Sequence, residues 1–396
     1  MSNPRRRDRR RTSPTPRRGD EFEITPTGFG RGGDATAPIP GGRVSIPDAI
    51  PGEVVRVRAL ARRKGVVHAR VVEIIEASPD RVAAPCPEVA NGCGACQWQH
   101  LALDAQRVAK RDRVARALGV SATELAPTVA LSATAFRTTL DLAVERGRAG
   151  FRRYRSHRTV PVTDCLVAHP LLVDLVTAAD YGDATEVRVR CGARTGERMA
   201  APIPSDAAIR VPDDVARDVV HEEAADHVWR ISADSFAQAS PEAMDTLTAH
   251  VLAAADAVPT RRAVDLYSGV GIFAGVLADR GWSVAAVEGA PSAVADARHN
   301  LAGLDVEVIE DDVTTWRADP AEFVVADPSR AGLGPDGTAV IDATGATRVV
   351  LVSCDTYALS RDREHLRRFG FGLTRATPID QFPHPPHVEV VSVFDR

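Results

Sequence analysis

The stretch Ala263–Phe273, AVDLYSGVGIF, decides the fold. An apolar strand, AVDLYS (263–268), runs through two glycines into the helical segment GIFAGVLADRG. Gly269 and Gly271 permit a tight turn and a close approach of backbone to a ligand. The same alternation continues on both sides. A helix, SPEAMDTLTAHVLAAADAV, precedes the strand. After it come SVAAVEG (283–289), a helix at APSAVADARHNL, VEVIEDD (306–312), EFVVADP (322–328), a helix near 335–344, TRVVLVSC (347–354) and a helix from Tyr357 to Phe369. Two strands near 372–379 and 388–394 close the chain. Strands and helices alternating over this length predict a doubly wound, Rossmann-like α/β domain over 236–396, with ligands beyond the carboxyl ends of its strands.

Acidic residues fall at those ends. Glu288 ends the second strand, where a carboxylate can accept both hydroxyls of a ribose. Asp312 ends the third and Asp327 the fourth, in ADPSR. A lone G-x-G is weak evidence, and with Ala274 the pattern G-x-G-x-x-A also permits a dinucleotide. Asp-Pro-x-Arg after the fourth strand is typical of methyltransferases acting on bases. The ordered series therefore favours S-adenosylmethionine over a nicotinamide; helix-capping acids would explain any one of these residues, not the set.

The chain has 396 residues, enough for two or three domains. It has no apolar run near the ~20 residues of a membrane span. No secretory signal is evident, so a cytoplasmic protein is expected. Residues 1–20 hold eight Arg against two Asp, a net +6, while the whole chain carries −4. This segment reads as a disordered basic tail, either an RNA-binding arm or a solubilising one. Residues 21–80 alternate short Val- and Ile-rich runs with Gly and Pro, the pattern of a small OB-like β-barrel.

Between barrel and α/β domain, 81–235 reads as a small mixed domain. Cys86, Cys93 and Cys96 stand in APCPEVANGCGACQWQH with spacing C-x6-C-x2-C. Cys165, in DCLVAHP, is the candidate fourth ligand. Zinc and an iron–sulfur cluster both accept four thiolates, and spacing favours neither. Free core thiols are the plain alternative, and Cys191 reads as one. A helix at about 102–118 carries a net +3. The segment RGRAGFRRYRSHR (146–158) interleaves six Arg with Phe151 and Tyr154, a composition that suits single-stranded RNA or a solvated hairpin.

Taken in order, CPEVANGCGACQWQH, FRRYRSH, VTDCLVAHP, DLYSGVGIF, DPSRAGLG, SCDTYALSRD and FPHPPHVEVVSVF resemble the RNA uracil-C5 methyltransferases from about residue 21 to 396. The resemblance implies a TRAM domain at the barrel and a four-iron, four-sulfur cluster on Cys86, Cys93, Cys96 and Cys165, with zinc the weaker alternative. It implies S-adenosylmethionine contacts from Gln238, Tyr267, Gly269, Gly271, Ile272, Glu288, Asp312 and Asp327, Ile272 through its backbone. Cys354 matches the nucleophile and Glu389 the general base. The implied partner is RNA, ribosomal in preference to transfer RNA, and the implied state a monomer without membrane contact. Thr356 stands where many relatives carry Pro, and Thr138, Thr139 and Asp141 where they often carry more Arg.

The chemistry needs such a pair. C5 of uracil is a poor nucleophile until a thiolate adds at C6, and a base must then remove the C5 proton. A free thiol has a pKa of ~8.5, so a helix N-terminus or a nearby cation (Arg330 or Arg361) is expected to raise its thiolate fraction. A cytosine-C5 methyltransferase would carry Pro-Cys where DPSR stands. A non-catalytic RNA-binding iron–sulfur protein would not require Cys354, Glu389 and Asp327 together.

Overall fold

Residues 15–396 are described by a computed structural model; the basic stretch 1–20 therefore lies, up to residue 14, outside the described residues. They form two compact units, one of residues up to Ala84 with Gln97–Ala102, the other of Pro85–Cys96 with Leu103–Arg396. In the first unit, β1 (Glu21–Ile24), β2 (Gly28–Phe29), β3 (Ala35–Ile39), β4 (Gly42–Ile46), β5 (Val54–Arg63) and β6 (Val66–Glu76) make a six-stranded sheet in the order β1-β5-β6-β4-β3-β2. Alternate residues Val55, Val57 and Ala59 of β5 meet Val44, Ile46 and Val67 in its core, while Arg56 and Arg58 face outward onto glutamates. The indole of Trp98 packs on Phe29 and donates to the Gly33 carbonyl at 2.7 Å.

The second unit opens with α1 (Leu103–Leu118) and β7 (Val129–Ala130). A mixed sheet follows, built from β8 (Thr139–Glu145), β9 (Arg148–Arg152), β10 (Thr159–Pro161), β11 (Glu186–Cys191), β12 (Arg198–Ile203) and β13 (Val215–Ala216), with α2 (Val173–Thr177) inserted. Its order is β10-β9-β8-β11-β12-β13. The hairpin β14 (Val219–Ala224) and β15 (His227–Ser232) leads into α3 (Pro241–Ala255). Then come β16 (Arg262–Leu266), α4 (Ile272–Asp279), β17 (Ser283–Glu288), α5 (Pro291–Asn300), β18 (Val306–Glu310), β19 (Phe323–Ala326), α6 (Gly334–Ala343), β20 (Arg348–Ser353), α7 (Thr356–Arg368), β21 (Gly372–Asp380) and β22 (Glu389–Asp395).

These last strands form an eight-stranded sheet, β18-β17-β16-β19-β20-β22-β21-β7. The strands from β18 to β20 are parallel, and β22 is antiparallel to both its neighbours. Strict alternation along the buried strands sends side chains to two cores. Ala263, Phe323, Val325, Val350 and Val352 pack with α3 and α4 on one face. Val264, Leu266, Val324, Ala326, Val349 and Leu351 pack with α1, α6 and α7 on the other. Strands buried on both faces read as continuous apolar runs, which is why the sequence shows them so clearly. Strand order reverses between β16 and β19, and a crevice opens there at the carboxyl ends. Among the described residues no helix is long and apolar enough to cross a membrane.

The β14–β15 hairpin belongs to this domain's core. Trp229 is fully buried in it, its indole donating to the Ala224 carbonyl at 2.9 Å. Asp296 of α5 accepts from the Ser232 amide at 2.7 Å and from the Ser235 hydroxyl at 2.6 Å, and pairs with Arg230. The segment leading to Gln238 is thereby tied to α5. Gly275 of α4 makes room for the Trp229 ring: a Cβ there would stand 2.6 Å from it. Gly275→Val is therefore expected to destabilise the domain by about 1–3 kcal/mol, read from the urea midpoint, with α4 and Trp229 forced apart.

Candidate active site

The turn after β16 is strained where it meets the crevice. Tyr267 adopts φ 60°, a left-handed conformation that costs a residue with a side chain roughly 1–2 kcal/mol, and Gly269 and Gly271 follow at φ 56° and 94°. Gly271 is the N-cap of α4, and a Cβ on it would stand 2.7 Å from the Leu301 side chain. The turn forms one wall of a cleft lined by Phe236, Gln238, Met244, Tyr267, Gly269, Ile272 and Asp327. Five of the residues expected to hold a cofactor thus meet at one place. Glu288 adjoins them, its carboxylate accepting from the Gly269 amide at 2.9 Å and the Ala290 amide at 2.7 Å. Asp312 is not in this lining. It is exposed and caps Thr314, accepting from its amide at 2.8 Å and its hydroxyl at 2.7 Å.

Two acids close the floor. Asp265 is fully buried, and its Oδ2 accepts from the Ala274 amide at 3.0 Å. Burial and the charges of Asp327 and Glu288 hold its pKa well above the carboxylate range. Asp327 follows β19 directly. Burial raises its pKa to about 7, against the opposing effect of the Gln238 amide, which donates to Oδ2 at 2.8 Å.

Cys354 and Glu389 are brought together by register. Ser353 of β20 pairs with Val390 of β22, so the next residues, Cys354 and Glu389, fall side by side at the same end of the sheet. Glu389 is 3% exposed. Burial, then the charge of Asp327, drive its pKa well above the ordinary value, with Arg330 opposing. Cys354 is partly exposed. Burial pushes its thiol up to about 12; Glu389 and Asp327 add to the push and Arg330 opposes it.

This reverses the expectation of an enriched thiolate. Cys354 lies two residues before α7, and the N-cap is Asp355, whose carboxylate takes the Tyr357 and Ala358 amides at 2.9 Å each. The cap takes two of the helix's four free N–H donors, so their field does not reach the sulfur undiminished. The same cap fixes the turn that proline would otherwise stiffen at Thr356, which is buried at the first helical position. Arg361 donates to the Ala331 carbonyl at 3.2 Å, and His384 Nε2 donates to the Ala133 carbonyl at 3.1 Å, so both hold loops.

Three features escaped the sequence. Phe236 is 67% exposed at the cleft. Gln381 is buried behind Gln238 and donates to its Oε1 at 2.7 Å. Lys110 and Asp380 form a fully buried ion pair at 2.5 Å. An exposed aromatic before Gln238 in SFAQAS was the one available signal; Gln381 and Lys110 carry none that pattern could isolate.

Cys86 and Cys165 are buried and Cys93 and Cys96 half-buried, and none of the four is in a disulfide. Burial raises the Cys93 pKa to about 11, and Cys165 and Cys86 add to it, so these sulfurs are electrostatic neighbours. Among the described residues, no three His, Cys, Asp or Glu side chains converge on a point that would hold a metal ion. Cys191 is buried elsewhere, in the core of the mixed sheet.

Parallel sheet, switch-point crevice and antiparallel last strand are the α/β methyltransferase fold. No family model matches the chain. It is 33% identical to a Streptomyces coelicolor protein described as an uncharacterized RNA methyltransferase, over 95% of this chain and 93% of that one. It is 31% identical to the 23S rRNA (uracil(1939)-C(5))-methyltransferase RlmD of Methylococcus capsulatus, over 93% and 95% of the two chains. Its fold matches the Pyrococcus abyssi tRNA (uracil-54, C5)-methyltransferase crystallised with S-adenosyl-L-homocysteine. The TM-score is 0.75 at 22% identity, over 94% of this chain and 99% of that one. The chain belongs to the RNA uracil-C5 methyltransferase family.

In the ligand-free protein, Cys354 should react slowly with iodoacetamide at pH 7.5 and progressively faster towards pH 11. Glu389→Gln removes a negative charge that opposes the thiolate, so the rise should move to lower pH. Mass spectrometry of the Cys354 peptide measures both.

Proposed function

We propose that this enzyme methylates C5 of a uracil in ribosomal RNA through a covalent bond between Cys354 and C6 of the base. The observation that carries the reading is the strand register that sets Cys354 beside Glu389, next to Asp327 on the cleft floor. The cleft is the proposed seat of S-adenosylmethionine, which supplies an electrophilic methyl group when bound. Gln238, Tyr267, Gly269, Gly271, Ile272, Glu288, Asp312 and Asp327 are the proposed contacts.

The sulfur of Cys354, having lost its proton, bonds to C6, and the C5–C6 π electrons move to the C4 carbonyl oxygen. The enolate so formed makes C5 nucleophilic towards the methyl. Glu389 then takes the C5 proton, the C5–C6 double bond re-forms, and the C6–S bond breaks to return the thiolate. A carboxylate of raised pKa is the stronger base for this task. The target base must leave its stack to reach the sulfur, and Phe236 offers an exposed ring at the mouth for it to stack on.

RNA is the proposed partner of the basic segment 146–158, where Arg146, Arg148, His157 and Arg158 border one groove, and of the first unit, read as a TRAM barrel. Cys86, Cys93, Cys96 and Cys165 are the proposed ligands of a four-iron, four-sulfur cluster. A single zinc ion needs its donors on one point at about 2.3 Å. Cys93, Cys165 and Cys86 are electrostatic neighbours, and a four-iron cluster also accepts four thiolates; the family resemblance favours the cluster, with zinc the weaker alternative. Ribosomal RNA is favoured because the relative named for it shares 31% identity, against 22% for the structure named for transfer RNA. We infer a monomer.

Transfer of labelled methyl from S-adenosylmethionine to a 23S rRNA fragment, with bulk transfer RNA in parallel, tests the reading. Cys354→Ala should abolish turnover; full activity in that variant would sink the mechanism. Glu389→Gln should slow turnover by roughly 10²–10⁴-fold and accumulate a protein–RNA adduct stable to denaturing gels. Separately, protein purified without oxygen should carry about four irons per chain with matching sulfide, and Cys165→Ser should lose them.

A further inference from the structure

The chain uses lysine at two positions only, Lys64 and Lys110, against an abundance of arginine. Lys110 lies in α1 with its side chain wholly out of solvent. Its Nζ donates to Asp380 Oδ1 at 2.5 Å and to the Phe382 carbonyl at 2.8 Å. A buried charge is costly unless its protons are used, and a compact ammonium can serve two oxygens a few ångströms apart where a planar guanidinium would need more room. The two acceptors belong to the residues on either side of Gln381. The ammonium therefore holds the side chain before that glutamine and the backbone carbonyl after it.

Gln381 is itself 2% exposed. Its amide nitrogen donates to Gln238 Oε1 at 2.7 Å, and the Gln238 nitrogen donates to Asp327 Oδ2 at 2.8 Å. The direction of this relay is dictated from its far end. Once Asp327 is ionised its carboxylate can only accept, and Gln238 then holds its nitrogen to Asp327 at 2.8 Å and its oxygen away. Gln381 must then offer its own nitrogen. Without that donor nothing on this path holds the Gln238 oxygen back, and a turned amide would set oxygen against carboxylate.

We propose that Gln381, gripped on both sides by Lys110, is a positioning residue that locks the Gln238 amide onto Asp327 and so pre-shapes the cleft wall for S-adenosylmethionine. The proposal rests on the reading of that cleft as the S-adenosylmethionine site. It concerns a residue that touches neither the reacting base nor the sulfur of Cys354.

Calorimetric titration of S-adenosylmethionine into the full chain tests it. Gln381→Met keeps side-chain length and removes the donor. It should weaken binding about tenfold, shift the thermal midpoint by a few degrees at most, and recover most of its turnover at saturating S-adenosylmethionine. Gln238→Met should weaken binding at least as much. The double variant should be no weaker than Gln238→Met alone, because the second change acts only through the first. Unchanged affinity in Gln381→Met, or losses that simply add in the double variant, overturn the proposal. Lys110→Met with Asp380→Leu removes both buried charges together, so it should fold. It should still bind S-adenosylmethionine as weakly as Gln381→Met; wild-type affinity there overturns the role of Lys110. A wild-type protein that binds no S-adenosylmethionine overturns the reading of the cleft itself, and this proposal with it.

Discussion

The crevice is organised around buried acids that repel one another. Asp265, Asp327 and Glu389 are buried at the carboxyl edge of one sheet, and each has its pKa raised by burial first. Asp327 then pushes up both Asp265 and Glu389, and with Glu389 it pushes up the thiol of Cys354. Single hydrogen bonds hold two of the three in place: Ala274 to Asp265, Gln238 to Asp327. It also favours a cation in the crevice. A positively charged ligand there would lower the cost of ionising all of them at once. The sulfonium and ammonium of the proposed cofactor meet that description, and a neutral ligand would not.

The rest of the second unit serves to set the edge of that sheet. Two cores, one on each face, fix the height and tilt of the parallel strands. Placing β22 antiparallel between β20 and β21 is what brings a residue from near the chain's end beside the residue that follows β20. A parallel strand in that slot would present its carboxyl end instead, and Glu389 begins its strand. The mixed sheet is joined to the same edge through buried Arg190, which reaches the Ser232 and Ser235 carbonyls at 2.7 and 2.8 Å, just ahead of Gln238.

Much of this was legible in the sequence, and the limits have physical causes. Strands buried on both faces, such as FVVA and RVVLVS, announce themselves as apolar runs, so the alternation that defines the α/β domain was readable. The two-residue strand β7 was not, since Val129 and Ala130 carry no period and are recruited only by pairing with Ile379 and Asp380. Motif residues around the crevice could be picked out because glycines and acids at strand ends are unusual there. Gln381 could not, because a glutamine ahead of FPHPPH looks like any loop residue. Its significance comes from Lys110, some 270 positions earlier in the chain. Pairings of that separation leave no local trace.

The start of α7 shows the same limit at closer range. Strand, cysteine and helix were visible in order, and a thiol at a helix N-terminus is ordinarily acidified. Here burial decides first, and Glu389 and Asp327 add to it, while Asp355 caps the helix by taking the Tyr357 and Ala358 amides. Cys354 therefore sits beside two acids, Glu389 and Asp327, with Arg330 as the opposing charge. A thiol so placed is a weak nucleophile and a poor target for oxidants while the crevice is empty. In the proposed reaction activation would come with the ligands: a cation entering the crevice would ease the ionisation of the groups around the thiol, and the base would bring an electrophilic carbon against the sulfur.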